Sequence, residues 1–182
     1  MTKTCPELVE GYKHQTNTNI KISRMNSEAF DIITRSAGET QQLGRHLGEM
    51  ALPGDIYLLV GNLGAGKTCL TQGIVWGLGS DEYALSPTFV LVRELKGRLP
   101  LYHIDLYRLD NPEEISDLGL DEYFYANGVS VVEWAEKAMN LLPPEHLLVK
   151  IDYLSDTGRR INFQPDGQRY HGLARELKKI YS

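Results

Sequence analysis

The chain has 182 residues, 42% of them hydrophobic and 24% charged, with a formal charge of −5. That length supports one domain with a proper core and is short for two. The acidic balance argues against a protein that grips nucleic acid unaided, because non-specific affinity comes mainly from Lys and Arg on phosphates. Cys5 and Cys69 are the only cysteines and form no CxxC pair, which excludes a disulfide framework or a zinc site as organising features.

Residues 1–26 are polar with little periodicity and read as a loosely ordered leader, in which Met25 is an alternative start. The leader lacks the apolar core of a secretory signal, and no apolar run is long enough to cross a bilayer. A cytoplasmic protein with no membrane partner is therefore expected. Residues 27–182 read as a single domain.

In chain order, "AFDIIT" alternates like a short strand. "SAGETQQLGRHLGEMAL" has Leu43, Leu47 and Met50 at helical spacing, with Ser36 or Thr40 near the start. "PGD" turns into "IYLLV", a continuous apolar run of the kind buried inside a sheet. A glycine loop leads into a helix over "KTCLTQGIVWGLG". "FVLVREL" and "LYHID" flank the turn "KGRLP" as a hairpin, "NPEEISDLGLDEYF" reads as a helix, and "VSVVEW" is another buried strand. "HLLVKIDYL" and "GRRINFQ" form a second hairpin around "SDTG", and "HGLARELKKIY" closes the chain as a helix. Helices interleaved with buried strands predict a three-layer α/β domain. Its central sheet should be mixed, mainly parallel, with antiparallel hairpins added.

The glycine loop carries chemistry. Gly61-Asn62-Leu63-Gly64-Ala65-Gly66-Lys67-Thr68 fits G-x-x-x-x-G-K-[ST] without a gap, between a strand and a helix. The glycines let the backbone wrap an anion with its N–H groups inward. The helix starting near Lys67 adds its positive end. Lys67 should reach the β- and γ-phosphates of a nucleotide, and the Thr68 hydroxyl should bind Mg²⁺. Cys69, next in line, reads as a small packing residue of the helix rather than a nucleophile.

Such a site needs an acid at the end of a neighbouring buried strand. "VSVVE" ends in Glu133 and "LYHID" in Asp105. Each has a bland reading as a solvated residue at a strand edge. The functional reading gives them different tasks, one holding the ion and the other orienting water. Trp134 has two readings, a core tryptophan or a wall of the nucleotide pocket. His103 lies two residues before Asp105 and so shares its face of the strand; it reads as a structural histidine. For Arg108, phosphate contact and an ion pair with Asp110 or Glu114 stand side by side. "SPTF", with Ser86, Pro87 and Thr88, is either a plain stiff turn or a switch loop that senses the γ-phosphate.

"GNLGAGKT", "SPTF", "YHIDLYRL" and "VEWAEK", in that order, resemble the TsaE (YjeE-like) family, from about Ser36 to about Arg160. The Walker loop alone is common to many families; "HIDLYRL" followed by "EW" is far more specific. The resemblance implies a P-loop NTPase fold and a small ATPase of bacterial tRNA threonylcarbamoyladenosine synthesis, with ATP and Mg²⁺ as its cofactors. Lys67 and Thr68 match the phosphate and Mg²⁺ residues, and Glu133 matches the second Mg²⁺ ligand. Trp134 matches the neighbouring tryptophan, Asp105 an acid needed for hydrolysis, and Thr88 with its block the switch-like loop. Thr40 and Gly44 match a segment that lines the adenine pocket. Asn62 stands where an acid is usual, Cys69 replaces a common Thr and Ala135 a common Pro. The implied partners are the TsaD transferase and TsaB, with tRNA met indirectly through that pair, and ATP turnover resets the pair between cycles. Two rivals remain: a P-loop small-molecule kinase, which would carry an arginine-bearing lid, and a nucleotide-dependent binding module with negligible turnover.

Overall fold

The described elements run β1 (Phe30–Thr34), α1 (Ala37–Met50), β2 (Ile56–Val60), α2 (Lys67–Gly77), β3 (Val92–Leu95) and β4 (Leu101–Asp105). They continue with α3 (Pro112–Ser116), α4 (Asp121–Phe124), β5 (Val129–Glu133), β6 (His146–Tyr153), β7 (Arg159–Asp166) and α5 (Gln168–Tyr181). The structure is a computed structural model and describes residues 28–182; the expected leader at 1–26 and Met25 lie outside the described residues.

All seven strands form one sheet in the order β1-β7-β6-β2-β5-β4-β3. The four strands in the middle, β6, β2, β5 and β4, are parallel. The pairings β1–β7, β6–β7 and β3–β4 are antiparallel. β2 and β5 are buried along nearly their whole length, as their continuous apolar sequences require. One face of the sheet packs Tyr57, Leu59 and Val131 against Leu43 and Leu47 of α1, Leu70 and Ile74 of α2, and Leu173 of α5. The other packs Leu58, Ile104 and Val132 against Ile115 of α3 and Phe124 of α4. Burying a Leu of this kind stabilises the fold by roughly 1.5–3 kcal/mol.

α1 begins where Ser36 accepts the Glu39 N–H at 3.1 Å, while the Glu39 carboxylate reaches back to the Arg35 N–H at 2.7 Å. α1 and α2 then cross at very close range. A Cβ on Gly44 would meet Leu70 O at 2.2 Å, and one on Gly73 would meet Gln41 O at 2.0 Å. Gly44 therefore serves the helix crossing. The resemblance placed it in a segment lining the adenine pocket; in the fold its α-carbon lies against the α2 backbone.

Two elements are shorter than the sequence pattern implies. The helix expected over "NPEEISDLGLDEYF" splits into α3 and α4 at Gly119, whose φ of 62° no helix accommodates. The strand expected from Phe89 starts only at Val92, since residues 87–91 form a turn with Leu91 N donating to Pro87 O.

Candidate active site

The ends of β2, β4 and β5 lie side by side, with Asp105 paired to Glu133 in register and Glu133 paired to Leu59. The loop after β2 therefore opens beside both acids, at the carboxyl end of parallel strands where α/β folds bind ligands. Gly66, at φ 112°, turns the chain into α2 and leaves its first N–H groups free to face an anion. Gly61 is needed for a different reason: a Cβ there would strike Ile151 O at 2.4 Å.

Lys67 Nζ donates to Gly61 O at 2.6 Å and Asn62 O at 3.1 Å, and lies 3.8 Å from the centre of the Trp134 ring. Burial pushes the Lys67 ammonium below its ordinary pKa, against the attraction of Glu133, Glu136 and Asp105. The side chain is thus held over the loop by neutral acceptors, without a salt-bridge partner among the described residues. Trp134 adopts a left-handed backbone at φ 59°, which costs a residue other than glycine roughly 1–3 kcal/mol. That turn places its ring against Lys67 and Tyr107. Trp134 lines the cavity beside the loop and also packs against the core cluster of Leu58, Ile104 and Val132, so each reading describes one side of its ring.

Glu133 is 2% exposed. Its Oε2 accepts the Thr68 hydroxyl at 3.0 Å and its Oε1 accepts His103 Nε2 at 2.8 Å. The Thr71 hydroxyl lies 3.4 Å from Oε1 while donating to Lys67 O at 3.1 Å. Asp105 is equally buried. Its Oδ2 accepts both the Ser86 and the Thr88 hydroxyls, the latter at 2.8 Å, and its Oδ1 accepts the Tyr107 N–H at 2.9 Å. Neither acid is a solvated edge residue.

A cavity of about 370 Å³ joins these parts, lined by residues 63–69, Ser86, Thr88, Asp105, Tyr107, Glu133 and Trp134. Pro87 holds the turn between the two hydroxyl residues without lining the cavity, and Asn62 contributes its carbonyl to Lys67. A second cavity of about 290 Å³ shares Gly64, Gly66 and Cys69 and adds Ala37, Thr40, Asp156 and Arg159. Thr40 thus reaches a pocket next to the loop, and its hydroxyl is 2.8 Å from that of Thr34. The Cys69 thiol faces Ala37 O, and burial raises its pKa, which fits a packing role.

Three features of the site were not anticipated from sequence. His103 is completely buried and grips Glu133. Thr71 sits one turn beyond Lys67, beneath the same carboxylate. Arg159, across the β6–β7 hairpin, donates to Ala65 O at 2.7 Å and so braces the loop from the side. Only His103 had a sequence signal, its i, i+2 spacing from Asp105. Arg108 stacks over Phe89 at 4.3 Å, and Asp110, one of its expected ion-pair partners, pairs with Lys137.

A hydroxyl and a carboxylate 3.0 Å apart beside an anion-binding loop are hard oxygen donors of the kind Mg²⁺ takes, with bound phosphates and water completing its shell. Among the described residues no cluster of three or more His, Cys, Asp or Glu would hold an ion without such help. No helix among them is long and apolar enough to cross a membrane.

Comparison with known proteins agrees with this geometry. The family model described as "Threonylcarbamoyl adenosine biosynthesis protein TsaE" matches residues 34–161. The tRNA threonylcarbamoyladenosine biosynthesis protein TsaE of Bacillus subtilis is 44% identical over 142 residues, 78% of this chain and 89% of that protein. The protein of the same description from Treponema pallidum is 40% identical over 129 residues, 71% of this chain and 96% of that one. The crystal structure of Bacillus subtilis YdiB superposes with a TM-score of 0.74 at 38% identity, covering 85% of this chain and 97% of that one. With the P-loop, the two strand-end acids and the Ser86 and Thr88 hydroxyls in the matched stretch, this chain belongs to the TsaE family.

Proposed function

We propose that the chain is a Mg²⁺-dependent ATPase that supports tRNA threonylcarbamoyladenosine synthesis by acting on a TsaB–TsaD pair. The observation that carries this reading is the convergence of Lys67, Thr68, Glu133 and Asp105 on one cavity. The loop N–H groups, the start of α2 and Lys67 bind the phosphates. Lys67 is prepared for this because its present acceptors, Gly61 O and Asn62 O, are neutral and an anion attracts it more strongly. Thr68 and Glu133 would hold the ion, and a bound Mg²⁺ would supply charge neutralisation for the phosphates. Asp105 orients the attacking water from a position fixed by Ser86, Thr88 and the Tyr107 N–H. Trp134 and Tyr107 form the apolar wall.

The arginines near the site have other engagements. Arg159 donates to Ala65 O, Ser155 O and Gly158 O, Arg93 reaches Tyr83 O, and Arg108 lies over Phe89. None lines the cavity that holds Lys67 and both acids. An arginine or equivalent supplied by a partner is worth roughly 10³–10⁵ in rate at such sites. Turnover by the isolated protein is therefore slow, and the partner pair governs it.

The test is nucleotide hydrolysis measured for the protein alone and with TsaB, TsaD and tRNA added. Slow release of phosphate alone, changed by the partners, is expected. Fast turnover indifferent to the partners, with phosphate passed to a metabolite, would overturn the reading in favour of a kinase.

A further inference from the structure

His103 has a stronger position than a structural histidine needs. It lies on β4, fully buried, and its Nε2 meets Glu133 Oε1 at 2.8 Å. Its Nδ1 is also buried and has no hydrogen-bond partner among the described residues. A buried N–H without an acceptor is expensive, whereas a bare ring lone pair costs less. The arrangement thus favours the tautomer with its proton on Nε2, donated to Glu133. A histidine serving packing alone would be better replaced by an apolar residue of the same size, which would leave no orphaned nitrogen.

The two oxygens of Glu133 have different surroundings. Oε1 faces into the fold, against His103 and, more distantly, Thr71, whose proton already serves Lys67 O. Oε2 faces the cavity and the Thr68 hydroxyl. Among the described residues His103 is the closer of the two donors to Oε1, and it ties that oxygen to the scaffold and so fixes the rotation of the carboxylate. We propose that His103 is a positioning residue for Mg²⁺, holding Glu133 so that Oε2 alone faces the ion beside Thr68. A carboxylate free to turn would offer both oxygens, an arrangement that Ca²⁺ accepts readily and Mg²⁺, with its strict octahedral demand, does not. His103 therefore sets both the affinity for Mg²⁺ and the preference for it over Ca²⁺. This rests on the reading of Glu133 as an ion ligand.

The experiment measures nucleotide binding by calorimetry in EDTA, in a Mg²⁺ series and in a Ca²⁺ series, for wild type, His103→Leu, His103→Gln and His103→Asn. Supporting partners around a bound metal are worth about 10- to 100-fold in metal affinity. For His103→Leu the Mg²⁺ concentration needed should rise by about that factor, with Ca²⁺ affected less and binding in EDTA unchanged. The Gln amide nitrogen reaches the place of Nε2 and restores the Mg²⁺ requirement; the Asn amide stops short and does not. If the Leu variant fails to fold, the contrast between Gln and Asn carries the result. Equal Mg²⁺ requirements for wild type and Asn, or Gln no better than Asn, would overturn the assignment of His103 alone. A wild type whose nucleotide binding ignores Mg²⁺ would overturn the proposed function, and this inference with it.

Discussion

The two ends of the parallel strands each bury a carboxylate, and they treat it differently. At the amino end Asp55 is 3% exposed; at the carboxyl end Glu133 and Asp105 are 2% exposed, so burial does not separate them. Their partners do. Asp55 takes two hydrogen bonds from the Arg169 guanidinium, at 2.9 and 2.6 Å, plus the Leu52 N–H and the Tyr57 hydroxyl. Its charge is cancelled within the fold. Glu133 and Asp105 are held by hydroxyls, a ring N–H and one backbone N–H. Those groups satisfy oxygen lone pairs without supplying a fixed positive charge like that of Arg169, and a buried anion calls for one. The amino end pairs its acid with an arginine, whereas among the described residues the carboxyl end holds its two acids without one. Cavity size would mislead here, because the hollow beside Asp55 is larger, about 660 Å³.

The sharpest way to break this contrast is to remove one acid from each end. Asp55→Ala leaves the Arg169 charge stranded and should cost about 3–5 kcal/mol in denaturant unfolding. Nucleotide affinity of the folded fraction should be unaffected. Loss of binding in folded protein would erase the distinction. Glu133→Gln keeps the shape of its site and removes an uncompensated charge, so unfolding stability should shift by less than about 1 kcal/mol. Hydrolysis should fall by more than about a hundredfold, roughly 2.7 kcal/mol of barrier, while the nucleotide binding seen in EDTA survives. Wild-type turnover in that variant would remove Glu133 from the ion.

Asp105 sharpens the contrast within the carboxyl end. It accepts three hydrogen bonds and stands one strand farther from the loop than Glu133. Asp105→Asn should lower turnover by about ten- to a hundredfold and leave Mg²⁺ affinity nearly intact, as for a residue acting through water. A large fall in Mg²⁺ affinity would place it on the ion instead.

How much of this was legible in the sequence follows from how local each signal is. Gly61–Thr68 could be read outright, since strand, loop and helix start are consecutive. Glu133 and Asp105 were legible because each ends an apolar strand, although nothing local says that those strands lie side by side. The hold of His103 on Glu133 depends on that pairing, so the sequence offered only a shared face with Asp105. Arg159 reaches Ala65 across the sheet, 94 positions away, and left no signal at all. The contact of Gly44 with α2 was hidden for a related reason: a glycine in a helix looks the same in sequence whether it faces a ligand or another helix. The split between α3 and α4 was hidden by "LGL", where apolar spacing continues through a glycine whose backbone leaves the helix.

The smallest effect expected is at the closed end, in alkali. Tyr170 accepts the Ile56 N–H at 2.8 Å on its hydroxyl, and burial, helped by nearby Asp55, lifts its pKa to about 12. Burial and Asp55 raise Tyr57 as well. An ordinary tyrosine titrates near 10. Below about pH 10 both the folded and the unfolded chain keep these phenol protons, and stability does not respond to them. Between about 10 and 12 the unfolded chain gives up the Tyr170 proton while the folded chain retains it, so stability falls as pH rises. Tyr170→Phe removes that source of decline and leaves the one from Tyr57. It also strips the Ile56 N–H of its acceptor, which costs about 1 kcal/mol at any pH. Urea unfolding should therefore find the variant less stable at pH 8, with the gap narrowing towards pH 11. A gap that stays constant or widens would mean that the hydroxyl is not held in its protonated form by the fold. A narrowing gap confined to alkali would mark the amino end as electrostatically closed at neutral pH, in contrast to the carboxyl end, where buried Lys67 has its pKa pushed down.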